Sequence, residues 1–327
     1  MEVKTVLGIF RAACYSPGMV GRDEAILRAV AERLEEAGHI VNLIHEEDFM
    51  AEIAIPDVVI HMARSSRVLD ILQQWQEEGC SVINSVESVR SVERASLAEL
   101  CAEQGIPIPK TWSVNTTQSD VLVARTTVGS IETIVFPCWV KRTGSCAQEP
   151  DDVCRVDDIE AYRQCLASFR ARDIKKVVVM EHIEGPCLKF YAVQPLNSSQ
   201  SYNHTKDAAD FLYITSGYDK WSLANAEQAF SMDSTDLKVN SNIGPNVIEC
   251  DKIAWTEACI LILENIKNVK GNLTETKGLQ VFGGDFIIDA DGIARLIDLN
   301  DWPSFSACCD DAADAIANLV LYIFYSQ

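Results

Sequence analysis

Three observations predict a mixed chain, α/β in its first third and α+β beyond it. The first hundred residues alternate strand and helix signals with the rhythm of a small, mostly parallel open sheet. The run Gly105-Ile106-Pro107-Ile108-Pro109 breaks that rhythm twice. The residues beyond Pro109 are richer in strand patterns than in helices. At 327 residues the chain suits two or three compact units.

Taken in order, Val6 to Phe10 is a short buried-strand run, and Asp23 to Ala37 carries Ile26, Leu27, Val30 and Leu34 at helical spacing, closed by Gly38. Ile40 to Ile44 returns to strand. Pro56-Asp57 leads into the strand Val58-Val59-Ile60-His61, then a helix around Leu69 to Gln76, a strand at Ser81 to Ile83, and helices through Glu87 and Leu97. After the proline break, Thr133 to Lys141, Lys176 to His182, Leu188 to Val193 and Phe211 to Thr215 read as strands, with a helix from Asp158 to Phe169 between the first two. Pro195 to Asp210 reads as a loop and Asp251 to Lys267 as a long helix. Next comes a hairpin, Leu279 to Ile288 and Ile293 to Leu299, turned at Asp289-Ala290-Asp291-Gly292. Asp310-Asp311 opens the last helix, where acidic side chains suit the dipole.

Composition narrows the function classes. Hydrophobic residues at 48% and charged residues at 23% exclude a disordered or fibrous chain. A formal net charge of −20, with no run of Lys or Arg, speaks against a nucleic-acid partner. The 12 cysteines are scattered without a CxxC pair and read as free thiols in a reducing compartment. Val6 to Phe10 is too short for a signal peptide and Leu319 to Phe324 too short to span a bilayer, so a cytoplasmic chain without a membrane partner is expected.

The strongest chemical signal is the late hairpin. Alternation puts Asp298 and Asn300 on one face of their strand, and pairing through the turn brings Asp285 toward Asp298. Three hard oxygen ligands at a sheet rim are what Mg²⁺ takes, its other positions filled by water and phosphate oxygens. A plain hairpin with an acidic turn explains Asp289 and Asp291. It leaves Asp298 and Asn300, followed by Trp302-Pro303, unexplained.

With Gly283-Gly284-Asp285, a short hairpin and then Asp298-Leu299-Asn300 before Pro303, the chain resembles the ATP-grasp superfamily. The resemblance implies an ATP-grasp fold behind an N-terminal parallel-sheet domain, with units at 1–107, 108–185 (the small lobe, or lid) and 186–327 (the lobe with the metal site). It implies ATP and Mg²⁺ as cofactors, the ion held by Asp285, Asp298 and Asn300. Upstream, Lys141 ends the strand pattern Phe136-Pro137-Cys138-Trp139-Val140-Lys141 where the family places a phosphate-contacting lysine. The loop after it, with Gly144 and Ser145, matches the family's phosphate-covering loop. Val177 to Gly185 looks like the hinge between lobes, with adenine read near Glu181 and Ile183 and the ribose by Glu184. His182 falls inside that nucleotide-binding stretch, its side chain reading as structural rather than catalytic. Lys189 matches the basic residue facing the transferred phosphoryl group, and Arg94 the position of a phosphate-contacting Lys or Arg.

Two chemistries use this scaffold. Asn84 to Pro109 resembles the ligases that join a carboxylate to an amine through an acyl phosphate, which is the reading preferred. Asp298, Lys189, Arg94 and the glycine-poor loop after Lys141 resemble instead the inositol phosphate kinases, which phosphorylate a hydroxyl. A non-catalytic ATP-binding regulator is the third alternative. Candidate contacts to a small-molecule substrate in the N-terminal unit are Arg11, Arg22, His61, Arg64 and Arg67, with a solvated helix start as the plain reading of Arg64 and Arg67. His39, His45, His204 and the cysteines support no metal site. The acceptor and the oligomeric state are not legible in the sequence.

Overall fold

The computed structural model describes residues 2–117, 122–127, 129–144, 147–193, 211–217, 229–233, 236–238 and 279–326. The expected loop at Pro195 to Asp210 and helix at Asp251 to Lys267 lie outside these residues, as does Ser145.

The first sheet joins β1 (Thr5–Phe10), β2 (Ile40–His45), β3 (Val58–His61) and β4 (Ser81–Ile83), all parallel, in the order β2-β1-β3-β4. Helix α1 (Val20–Glu36) buries Ile26, Leu27, Val30 and Leu34, the stripe its sequence spacing predicts. Helix α2 (Ser66–Glu77) buries Val68, Leu69, Leu72 and Trp75. Helices α3 (Val86–Ser91) and α4 (Arg94–Gln104) come next, α3 capped by the Ser85 hydroxyl, which accepts from the Ser88 N–H. Gly105 ends α4 in the left-handed region, as the glycine before the two prolines suggests.

The second sheet is antiparallel: β5 (Thr111–Asn115), β8 (Cys138–Arg142), β9 (Val153–Val156) and β10 (Lys176–Glu181), in the order β5-β10-β8-β9. Helix α5 (Ile159–Ala171) covers it through Tyr162, Leu166 and Phe169. The expected single strand from Thr133 to Lys141 is two. A hairpin strand β7 (Ile131–Thr133), paired with β6 (Val123–Arg125), stops before Pro137, and β8 begins after it. Proline has no N–H to give to a ladder, so the run cannot continue through it.

The third sheet is antiparallel, with β11 (Cys187–Val193), β12 (Phe211–Gly217), β13 (Ala229–Asp233), β14 (Asp236–Lys238), β15 (Val281–Ile288) and β16 (Ala294–Asp301) ordered β14-β13-β12-β11-β15-β16. The final helix α6 (Cys309–Ser326) returns to the first unit. Its Ile316, Leu319 and Val320 share one apolar core with Ile26 and Val30 of α1 and with Val193 and Val281 of the third sheet. That shared core fixes the third sheet against the N-terminal one. No described helix is long and apolar enough to cross a membrane.

Candidate functional site

Along β11, β15 and β16 one face is apolar: Leu188, Phe190, Phe282, Phe286, Leu296 and Leu299 build a single core. The opposite face carries the polar residues. Lys189 pairs with Asp285, and Asp285 pairs with Asp298, so the three form one row across three adjacent strands. The next row is Tyr191, Gly283 and Asn300. Lys189 Nζ lies 2.7 Å from Asp285 Oδ1.

Strict alternation alone would put Leu296, Asp298 and Asn300 on the same face. A β-bulge prevents this. The register shifts between the pairs Asp285–Asp298 and Phe286–Leu296, leaving Ile297 as the extra residue. Leu296 and Leu299, three positions apart, therefore both reach the core, while Asp298 and Asn300 turn to the polar face. The Ile297 carbonyl accepts a hydrogen bond of 3.0 Å from Lys141 Nζ, which crosses from the second sheet.

Lys141 is 7% exposed, and its register partner Val178 on β10 lies in the middle of the ladder. Arg94, at the start of α4, donates to the carbonyls of Arg142 (3.2 Å) and Gly144 (3.3 Å), and its Nε stands 3.9 Å from Asp298 Oδ1. One guanidinium thus joins the loop after β8 to the acidic row. Lys141, Gly144, Arg94, Lys189, Asp285, Asp298 and Asn300 are all brought to one junction between the second and third sheets.

Glu181 to Glu184, expected as the hinge, stand apart from that row. The Glu181 N–H donates to the Lys110 carbonyl at 2.8 Å and the His182 N–H to that of Pro137 at 3.2 Å. Trp139 Nε1 donates to His182 Nδ1 (3.0 Å), which leaves the His182 Nε2–H to donate to Glu184 Oε1 at 2.9 Å. His182 therefore orients Glu184, whose carboxylate is 87% exposed. A cleft of about 730 Å³ runs along the hinge between Pro107, Ile108, Glu132, Ile183, Asp289 and Arg295, and neither Lys141 nor the acidic row lines it.

Backbone space at the row is tight. A Cβ on Gly284 would lie 2.2 Å from the Asp298 carbonyl oxygen, and one on Gly283 2.8 Å from Pro303 Cγ. Trp302 and Phe305, just beyond β16, hold positive φ angles of 46° and 49°, a strained region for bulky residues.

Burial alone would lower the Lys189 pKa, but the facing Asp285 carboxylate outweighs it and holds the ammonium above its ordinary value. Asp285 and Asp298, 5% and 9% exposed, offer hard oxygens beside an amide, a donor set that fits Mg²⁺ with phosphate oxygens and waters completing the shell. Among the described residues no three His, Cys, Asp or Glu side chains gather as a metal site by themselves.

The N-terminal candidates are placed differently from expectation. Arg11 pairs with Asp23 (3.1 Å) and donates to the Trp302 carbonyl (2.7 Å). Arg64, 4% exposed, lies 2.8 Å from Asp301 Oδ1, itself 1% exposed. Arg67 donates to the carbonyls of Phe49 and Glu46 at 2.6 and 3.0 Å. His61 is wholly buried, its Nε2 2.9 Å from the Asn84 carbonyl. Arg64 is thus not part of a solvated helix start, whereas Arg67, in the first turn of α2, is exposed as that reading expects; all four residues make contacts within the N-terminal unit or at its junction, and Arg22 is exposed on α1.

The sequence reading missed Asn84 as a positioning residue. Its buried amide accepts from the N–H groups of Gln280 and Val281, both at 2.8 Å, and donates to the Val281 carbonyl at 2.7 Å. It pins the start of β15 to the end of β4. The only signal was an asparagine directly after a strand, which marks many ordinary turns.

No family model and no curated protein matches the sequence. Solved structures match in fold. The RimK domain protein ATP-grasp from Sphaerobacter thermophilus is 14% identical with a TM-score of 0.59, covering 97% of this chain and 99% of its own. The D-alanine-D-alanine ligase from Coxiella burnetii is 12% identical at a TM-score of 0.65, over 100% and 96% of the two chains. That from Bacillus anthracis, complexed with ATP, is 11% identical at 0.60, over 99% and 97%.

Proposed function

We propose that this chain, which has the ATP-grasp fold, is an ATP-dependent ligase that activates a small-molecule carboxylate as an acyl phosphate and joins it to an amine. The row Lys189, Asp285 and Asp298, faced by Lys141 and Arg94, supports phosphoryl transfer: cations and metal-binding oxygens converge on one junction. In this reading Lys141 and Arg94 bind phosphate oxygens, Glu181 and Ile183 present backbone groups to the adenine, and Glu184, oriented by His182, takes the ribose. Lys189 stabilises charge on the transferring group. Asp285, Asp298 and Asn300 would hold Mg²⁺, which would supply positive charge to offset that of the phosphates. The division at 107 and 185 belongs to the same reading, as does a cytoplasmic setting.

One observation carries ligase over kinase. Arg11, Arg64 and Arg67, basic candidates for a polyphosphorylated acceptor, are engaged by Asp23, Asp301 and backbone carbonyls. An acceptor with several phosphates would have to break buried ion pairs to use Arg11 or Arg64, at about 3–5 kcal/mol for each charge left unpaired. A carboxylate and an amine make no such demand. Incubation with carboxylate pools, ATP and hydroxylamine should yield a hydroxamate and free phosphate. Label from the γ-phosphate recovered stably on a hydroxyl, with no free phosphate, would overturn the ligase reading in favour of the kinase.

A further inference from the structure

Three strands of the first sheet meet the end of β16 at one place. Beyond Asn300, β16 leaves the third sheet through Asp301 and Trp302. The Asp301 carbonyl accepts from Arg64 Nη2 at 2.9 Å and the Trp302 carbonyl from Arg11 Nη2 at 2.7 Å, while Trp302 Nε1–H donates to the Ile83 carbonyl at 3.0 Å. Arg11 directly follows β1, Arg64 lies just past β3, and Ile83 ends β4. The two residues after Asn300 are thus held by the carboxyl ends of β1, β3 and β4.

Trp302 is wholly buried and sits at a φ of 46°. A bulky residue keeps that conformation only where its surroundings over-determine it. Here the Val281 carbonyl takes the Trp302 N–H at 3.1 Å, and the first sheet takes its carbonyl and its indole N–H. Loss of either bond to the first sheet lets Trp302 turn toward an ordinary φ. The chain beyond it is fixed, with Pro303 packed on Gly283 and Phe305 in the shared core, so the strand end carrying Asn300 moves instead.

We propose that Arg11 is a positioning residue for the site of Asp285, Asp298 and Asn300: through the Trp302 carbonyl it sets the end of β16, and so the place of the Asn300 amide in the donor set. The role rests on the Mg²⁺ reading of that site. Arg11 is suited to it because its guanidinium is fixed from the other side, Nη1 donating to Asp23 Oδ2 at 3.1 Å, and Asp23 in turn accepts from the Ser16 hydroxyl. Arg64 grips the neighbouring carbonyl but is also bound to the buried Asp301 carboxylate, so its loss reports that ion pair as well as the strand end. Groups that orient a metal's ligands without touching the ion govern about tenfold or more of its affinity.

Calorimetric titration of the whole chain with ATP over a series of Mg²⁺ concentrations gives the Mg²⁺ needed for half-maximal binding. Asp23→Asn removes the ion pair and leaves the bond to Trp302, and should match the parent chain. Adding Arg11→Met to Asp23→Asn should raise the Mg²⁺ requirement about tenfold, with the affinity for ATP in the absence of Mg²⁺ unchanged. Trp302→Phe keeps a buried ring and loses the bond to Ile83; it should shift the requirement in the same direction, and it carries the test if the double variant does not fold. In the metal-free chain, amide hydrogen exchange over 299–303 should quicken in these two variants and stay at the parent rate in Asp23→Asn. An unchanged Mg²⁺ requirement in the double variant, in a parent chain that depends on Mg²⁺, would overturn the role of Arg11 and leave the Mg²⁺ reading standing. The full shift in Asp23→Asn alone would also overturn it, since the ion pair and not the Trp302 contact would then be responsible. A parent chain whose ATP binding ignores Mg²⁺ would overturn both.

Discussion

Lys189 on β11 and Asp285 on β15 stand directly opposite each other, Nζ 2.7 Å from Oδ1, on the polar face of a sheet whose other face is core. In the proposed reading the pair sets one cation and one anion beside the phosphates and the metal, and the Lys189 side chain keeps 36% exposure. Lys189→Met should lower kcat by about 10²–10³-fold with little change in melting temperature, as for loss of one preorganised donor to developing charge. Retained turnover with a large loss of stability would make the pair structural.

Gly284 tests how tightly the row is set. A Cβ there would lie 2.2 Å from the Asp298 carbonyl oxygen and 2.9 Å from the Phe190 ring, so Gly284→Ala must push β15 from β16. A cost of about 1–3 kcal/mol is expected, with weaker Mg-ATP binding. Gly21→Ala on α1 meets nothing within 4 Å and should be neutral or stabilising. Denaturant midpoints for the two variants check the contrast.

Asp301→Ala removes the buried partner of Arg64 and should cost about 3–5 kcal/mol. Arg64→Met combined with Asp301→Leu, which removes both charges, should recover most of that loss. A double variant no more stable than Asp301→Ala would show that the pair contributes more than mutual neutralisation.

His61 gives the stability a pH dependence. Burial lowers its pKa to about 4 in the folded chain, against 6.5 when unfolded, so the unfolded state binds more protons between those values. Its contribution is complete above pH 6.5 and is lost as pH falls toward 4, at a slope approaching about 1.4 kcal/mol per pH unit. Urea unfolding of the parent chain and His61→Gln should show a shallower acid slope in the variant.

Much of this organisation was legible because apolar periodicity reports burial. The stripe on α1, the strands Val58–His61 and Ser81–Ile83, and the late hairpin all lie where their patterns put them. The convergence of Asp285 on Asp298 came from the turn between them, and alternation put Asp298 and Asn300 on one face, as the register has them. The inserted Ile297 sets that face opposite Leu296, and a bulge leaves no mark in a run of alternating types. The arginines failed for another reason: a buried Arg64 and a solvated one have the same local sequence, and the partner Asp301 lies 237 residues away. The strand break at Pro137 was readable from proline chemistry and was overrun by the apolar residues around it.

The functional reading stands or falls on whether the junction of Lys141 with the acidic row is a Mg-ATP site. Calorimetric titration of the whole chain with ATP, with and without Mg²⁺, tests it most directly. Saturable binding that requires Mg²⁺, weakened at least tenfold by Lys141→Ala and stripped of its Mg²⁺ dependence by Asp298→Asn in a folded protein, is the predicted result. No heat of binding at millimolar Mg-ATP, or equal affinity in the parent chain and both variants, would contradict it.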